Sequence, residues 1–318
     1  MADIAHSHLA FDNNPLSQPI DEPNERVKDF LRASTSSATL KAYKSDVEHF
    51  LAWGGYIPAS SQLIANYLAD NAELLSVATL ERRLAALSKI HSSLGAENTA
   101  RAELVRTTMR GIRRSKGTTQ RQAAPITKER LLAMVAACED GRRGARDRAL
   151  LLVGFAGAFR RSELVALNCK NVEFVPEGIV LTIERSKTDQ EGRGRKVGIP
   201  YAQGKVCPVL ALKEYLNIAG ISKGPIFRPM ASTTCFAETR LTSTSVSLAI
   251  KCRARLAGLD PAMFSGHSLR AGFATSAAQA GAETWAIMKQ TGHQSEAIVH
   301  RYIRIGELFF TNGLPSIL

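Results

Sequence analysis

Cysteine is sparse in this chain and never closely paired: Cys138, Cys169, Cys207, Cys235 and Cys252 lie far apart, with no CxxC among them. An odd number of thiols so spaced argues against a disulfide framework and a sulfur-ligated zinc site, and fits reduced thiols in a cytosol. No apolar run approaches the roughly 18 residues of a membrane span. The N-terminus also lacks a basic stretch followed by an apolar one, so neither a secretory leader nor a membrane role is expected. No glycine-rich loop of Walker spacing occurs, which counts against an ATP-driven motor. No cluster of carboxylates, or of Cys and His, offers a metal site, so no metal or other cofactor is expected. Lys and Arg are missing from residues 1–24, where Asp3, Asp12, Asp21 and Glu22 stand alone.

What is present is a basic globular chain. Its 318 residues suit two domains of ordinary size, and 45% hydrophobic with 22% charged residues implies a substantial core. Lys+Arg number 41 against 29 Asp+Glu, a net charge of +12. Because residues 1–24 are acidic, the rest of the chain is more basic than that total suggests. Such an excess favours a polyanionic partner, nucleic acid before an acidic membrane, over charge kept only for solubility.

Residues 1–24 carry Asn-Asn-Pro and Asp-Glu-Pro with little periodicity and read as a flexible tail. Residues 25–116 read as a small helical bundle. Ser36 or Ser37 caps a helix whose Leu40, Tyr43, Val47, Phe50 and Leu51 are expected on one face. A second helix starts near Ser61. A third carries Leu80, Leu84, Leu87, Ile90 and Leu94 and stops at Gly95, and a fourth runs from about Thr99 to Arg114. A basic linker follows over 117–126. Arg110, Arg113, Arg114, Lys116 and Arg121 crowd this end of the bundle and are the candidate contacts to a phosphate backbone. Residues 127–318 form the second domain, with helices near 128–139 and 144–156 and strands at 171–174, 179–184 and 196–199 in a three-stranded meander. Helices then resume near 207–219, 243–257, 267–280, 283–291 and 295–305. The fold class is therefore mainly α with a small antiparallel β-sheet.

Several short stretches are weak alone and strong together. "GAFRRSELVAL" sets Arg160 and Glu163 one helical turn apart, and "HSLRAGFATSAA" sets His267 and Arg270 on one face at a helix start. "TGHQ" adds His293, Tyr302 follows nine residues later, and Lys187 lies in the strand-turn-strand segment "IERSKTDQEGRGRKVGIP". His49, His91 and His300 look like ordinary surface or core histidines. In this order the motifs resemble the tyrosine recombinase (phage integrase) family, the group that contains Cre and the Xer recombinases. Arg160, His267, Arg270, His293 and Tyr302 match its signature one by one. The likeness spans about 126–305, while the N-terminal bundle agrees only in size and order.

The resemblance implies a helical core-type DNA-binding domain and a catalytic domain closing on duplex DNA as a C-shaped clamp. It implies site-specific recombination through a 3′-phosphotyrosyl intermediate and a Holliday junction, without metal or ATP. Double-stranded DNA with inverted-repeat half-sites is the implied partner, bound by a homotetramer on two sites, and the implied setting is cytoplasmic and nucleoid-associated, the protein being encoded by a bacterium, a phage or a plasmid. In that family Tyr302 would be the nucleophile, and Arg160 and Arg270 would clamp the phosphate. His267 would move the tyrosine proton or hold the phosphate, and Lys187 would protonate the departing 5′ oxygen. His293 would donate to the phosphate, and Glu163 would buttress the site. The short acidic tail suits a simple recombinase better than an integrase with an additional arm-binding domain. The apolar residues of "IGELFFTNGLPSIL" make a docking tail the expectation for 305–318. A type IB topoisomerase-like enzyme, or a catalytically silent DNA-binding accessory protein, are the alternatives.

Overall fold

The computed structural model describes residues 35–117, 122–184, 186, 194–297, 299, 300 and 302. The chain divides into two compact units, Met1–Gln120 and Arg121–Leu318. The division falls within the stretch read as the basic linker.

The described part of the first unit is four helices: α1 Ser37–Ala52, α2 Ser61–Asp70, α3 Val77–Ser93 and α4 Glu103–Lys116. The first three begin alike. Ser36, Ser60 and Ser76 each accept, through Oγ, the backbone N–H three residues on, at 3.2 Å. Each cap satisfies a donor that the first turn leaves without a partner. Phe50, Ile64, Tyr67, Leu68, Leu80, Leu87, Val105 and Met109 form the core. Here the structure corrects two expectations. Leu40 and Leu51 are 46% and 47% exposed, and Asp46 is buried on the α1 face instead. Arg82 makes that burial tolerable with a two-pronged pair at 2.8 and 2.9 Å. The fourth helix is also broken: Thr99–Arg101 is a separate 3-10 turn, and the extended Ala102 (ψ 153°) interrupts it before α4 begins. His91 is a fully buried core histidine that accepts Ala59 N–H at Nε2 (2.9 Å) and donates from Nδ1 to the Leu87 carbonyl (2.7 Å).

The second unit holds α5 Lys128–Ala136, α6 Arg142–Ala156, α7 Arg161–Ala166, then β1 Val172–Val175, β2 Gly178–Ile183 and β3 Arg195–Pro200. It continues with α8 Pro208–Ala219, α9 Ser243–Leu256, α10 Ser268–Gln279 and α11 Thr284–Thr291. Glu296, Ala297, Val299, His300 and Tyr302 are helical as well. The sheet is the antiparallel meander β1-β2-β3, with Ile179 opposite Ile199 and Leu181 opposite Val197. Those four side chains lie on its inner face, and Phe174, opposite Ile179 on the edge strand, stays 45% exposed.

α6 is buried along most of its length and packs against both α8 and α10. Gly272 allows α10 to reach the backbone before α5. A Cβ at that glycine would lie 1.8 Å from the Ile126 carbonyl oxygen. The same contact is fastened by Ile126 N–H donating to the Ser268 carbonyl at 2.9 Å.

Candidate active site

The site begins where α6 stops. Gly157 and Ala158 turn the chain, and Ala158 takes a left-handed conformation (φ 49°) although it is not glycine. A side chain in that region costs about 1–2 kcal/mol. The turn aims the Ala158 carbonyl at Arg270, whose Nη1 donates to it at 3.0 Å.

Two residues on, Arg160 occupies the cap position of α7, with Glu163 in the first turn. The Glu163 carboxylate accepts the Arg160 backbone N–H at 3.0 Å and Arg160 Nη1 at 2.6 Å. A carboxylate there also complements the positive end of the helix. Glu163 is 1% exposed. Arg195, from the start of β3, is its second cationic neighbour at 3.4 Å. Three guanidiniums, Arg160, Arg195 and Arg270, thus face one carboxylate and leave an excess of positive charge.

Arg270 shows that excess most clearly. It lies in the first turn of α10, is 3% exposed, and its Nη2 has no partner among the described residues. Burial first, then the charge of Arg160, pushes its pKa down to about 10. It remains a cation at neutral pH, but one short of negative charge.

His293 follows Gly292, whose left-handed φ of +66° ends α11. Burial, reinforced by Arg270, Arg160 and Arg195, pushes its pKa down to about 4, so the imidazole is neutral. Thr291 Oγ1 donates its single proton to the Ile287 carbonyl at 2.7 Å and so has only lone pairs left for His293 Nδ1, 2.9 Å away. The proton of His293 therefore sits on Nδ1, and Nε2 is an acceptor in the free protein.

Tyr302 stacks on His293, with ring centroids 5.9 Å apart and an interplanar angle of 23°. It is half-buried, packing beside Ala274, Ile287 and Val299. Tyr302 is thus both a packing residue and a neighbour of His293.

The structure therefore brings Arg160, Glu163, Arg270, His293 and Tyr302 together. His267 is exposed at the start of α10, its backbone N–H donating to Ser265 Oγ at 3.2 Å. Lys187 and Arg121 lie outside the described residues. Arg110, Arg113, Arg114 and Lys116 are exposed on α4 of the first unit, which runs two residues past the expected end at Arg114. Arg113 pairs with Glu81 at 2.8 Å and Lys116 with Glu73 at 3.3 Å, and Arg110 lies 3.9 Å from Glu103. Arg114 makes no ion pair among the described residues. Among those residues no group of three His, Cys, Asp or Glu has the geometry to hold a metal ion, and no helix is long and apolar enough to cross a membrane.

Sequence reasoning does not single out Arg195. The signal was the alternation of β3: Arg195 shares its side of the strand with buried Val197 and Ile199, so it had to point inward.

The family model described as "Phage integrase family" matches residues 125–307, more than half of the chain. The chain belongs to the phage integrase family. It is a tyrosine recombinase, an enzyme of site-specific DNA recombination. An integrase/recombinase XerD homolog of Selenomonas ruminantium is 44% identical over 307 residues, covering 92% of this chain and 90% of that protein. Tyrosine recombinase XerC of Roseiflexus castenholzii is 27% identical over 303 residues, covering 89% of each. The fold is similar to that of lambda integrase crystallised with DNA. That likeness has a TM-score of 0.63 and 19% identity, covering 90% of this chain and 96% of the solved one.

Proposed function

We propose that this recombinase cleaves duplex DNA with Tyr302 as nucleophile, forming a 3′-phosphotyrosyl bond. In the cleavage step Tyr302 Oη bonds to phosphorus, the bond from phosphorus to the 5′ oxygen breaks, and the tyrosine proton leaves. The departing oxygen takes up a proton. A DNA 5′-hydroxyl then reverses the chemistry on the exchanged strand, through a Holliday junction. The phosphotyrosyl bond conserves the energy of the broken diester, so resealing requires no ATP. The electrostatic work falls to arginines, and the reading requires no metal.

The observation that carries this reading is the gathering of Arg160, Arg270 and Tyr302 around His293, with Arg270 Nη2 left without a partner among the described residues. Two guanidiniums aimed at the non-bridging oxygens gain strength as charge builds at phosphorus. Glu163 holds Arg160 in place. His267, exposed at the head of α10, takes the tyrosine proton or holds the phosphate, and Lys187 protonates the leaving 5′ oxygen. His293 begins neutral with an acceptor at Nε2. To donate to the phosphate it must first take up a proton, which the phosphate charge favours. DNA with inverted-repeat half-sites, bound by a tetramer on two duplexes, is the partner that fits the chemistry. The exposed arginines of α4 supply contacts to its backbone.

The test is a duplex nicked beside the cleavage point, so that the released fragment is lost and the covalent adduct accumulates. Tyr302→Phe is expected to bind this DNA as the parent does and to form no adduct. Robust adduct from that variant overturns the assignment and turns attention to exposed Tyr201. Tyr215 is a core residue whose hydroxyl donates to the Ile226 carbonyl at 3.0 Å. Recombination between two target sites on one circle separates this reading from a topoisomerase, which relaxes the circle without exchange.

A further inference from the structure

Arg195 meets three separate segments of the site. Its Nη1 donates to the Gln290 carbonyl at 2.9 Å, three residues ahead of His293. Its Nη2 reaches Glu163 Oε2 at 3.4 Å. The guanidinium lies over the ring of Phe159, 5.9 Å from its centroid. Phe159 sits between Ala158, whose carbonyl holds Arg270, and Arg160. Gly292 passes so close that a Cβ there would lie 3.0 Å from Arg195 Nε. One side chain from the sheet thus meets the His293 loop, the α7 carboxylate and the turn after α6.

We propose that Arg195 is a positioning residue for strand cleavage: its planar fork bolts the His293 loop to Glu163, fixing His293 and Arg160 relative to Arg270. The proposal rests on the cleavage reading above. A lysine would keep the charge, but a point ammonium cannot hold two acceptors in one plane or lie flat on Phe159. Gln290 assists from the other side, its Nε2 donating to the Ala156 carbonyl at 2.7 Å. Gln290, in α11's last turn, is thereby tied twice, by its carbonyl to the sheet and by its side chain to the end of α6. The reacting groups need this precision, because a misplacement of about 1 Å costs about 100-fold in rate.

The test uses the full chain and a duplex selected from a random-sequence pool by binding to the Tyr302→Phe variant, then nicked beside the cleavage point. Arg195→Ala and Arg195→Lys are expected to bind it within about threefold of the parent. At saturating protein they are expected to form adduct about 100-fold and about tenfold more slowly, respectively. A second duplex carries sulfur in place of the bridging 5′ oxygen at the cleaved phosphate. A thiolate leaves without needing a proton, so Lys187→Ala is expected to recover there. The Arg195 variants are expected to stay slow, because their defect lies in the phosphate clamp. Parental cleavage by Arg195→Lys, or full recovery of both Arg195 variants on the sulfur duplex, overturns the proposal.

Should Arg195→Ala fail to fold, Arg195→Lys carries the comparison alone. Imidazole nitrogen NMR adds a readout independent of cleavage. The His293 signal is expected to shift or broaden in Arg195→Lys while those of the other histidines hold, and an unchanged His293 signal overturns the proposal. If the parent forms no adduct on any selected duplex, the cleavage reading fails. Arg195's hold on the His293 loop is still decided by these spectra.

Discussion

The second unit buries two arginine clusters, built on opposite principles. In one, Arg253 of α9 is 1% exposed and fully engaged. Its Nε donates to Asp147 at 2.9 Å and its Nη1 to Glu139 at 2.8 Å, while Arg146 takes the other oxygen of Asp147 at 2.7 Å. Burial lowers the Arg253 pKa, but Glu139 and Asp147 outweigh it and drive the pKa up. In the other cluster, Arg270 is nearly as buried, yet among the described residues it donates to one carbonyl and leaves Nη2 without a partner, and its pKa is pushed down. The first cluster is closed and stabilises the fold. The second is held open by the fold, and the group that would complete it is an anion.

The largest effects come from exchanging each arginine for an apolar side chain of similar length. Arg270→Met is expected to slow adduct formation by about 10²–10³ while leaving stability unchanged or raised, since it removes a buried, underpaired charge. Arg253→Met is expected to do the reverse. It leaves Asp147 Oδ2 without its donors, with Arg146 still on the other oxygen, and costs about 1–3 kcal/mol of stability, with cleavage per folded molecule near the parental rate. Urea unfolding and single-turnover cleavage of the nicked duplex check both. If the two variants lose stability alike, the contrast between the clusters is wrong.

A smaller effect sharpens the same contrast through pH. His293 titrates at about 4 in the folded protein, below its ordinary value near 6.5, with burial the first cause and the open arginine cluster the second. Between those values the unfolded chain binds the extra proton and the folded one does not. Stability is therefore fully present above about pH 6.5 and is lost as pH falls toward 4. His293→Gln is expected to flatten that limb in denaturant unfolding measured across the window. An unchanged limb would mean that the His293 pKa is not lowered in the folded protein.

The smallest effect compares exposed arginines on α4. Arg114 lacks an ion pair among the described residues, whereas Arg113 must leave Glu81 to meet a phosphate. Arg114→Ala is expected to lower the slope of log K against log salt by about 1, and Arg113→Ala by less. DNA binding titrated over a range of salt concentrations checks the order.

What the sequence makes legible here is local. Arg160 and Glu163 are three residues apart, so helix geometry fixes that pair before anything packs, whereas His267 and Arg270, equally spaced, end one exposed and one buried. Ser36 reads as a cap for the same reason, and the sheet reads from its turns and branched residues. What escapes is set across the chain. Arg195 meets Glu163 and Gln290 through tertiary contact, and Asp46 displaces Leu51 from the core because arginines on another helix wait for it. The left-handed Ala158 carries no composition signal, since glycine is the residue usually found there. Lys187 and the docking tail remain readings of the sequence.

The close passage of Gly272 over Ile126 has a mechanical consequence. The strap that enters the second unit is pinned beneath the very helix that carries Arg270. Its amide is fastened to Ser268, two residues from the guanidinium that the fold leaves short of a partner. The strap is held twice, by Ala124 N–H on the Met263 carbonyl at 2.8 Å and by Ile126 N–H on Ser268, so a pull on it is shared between that loop and α10.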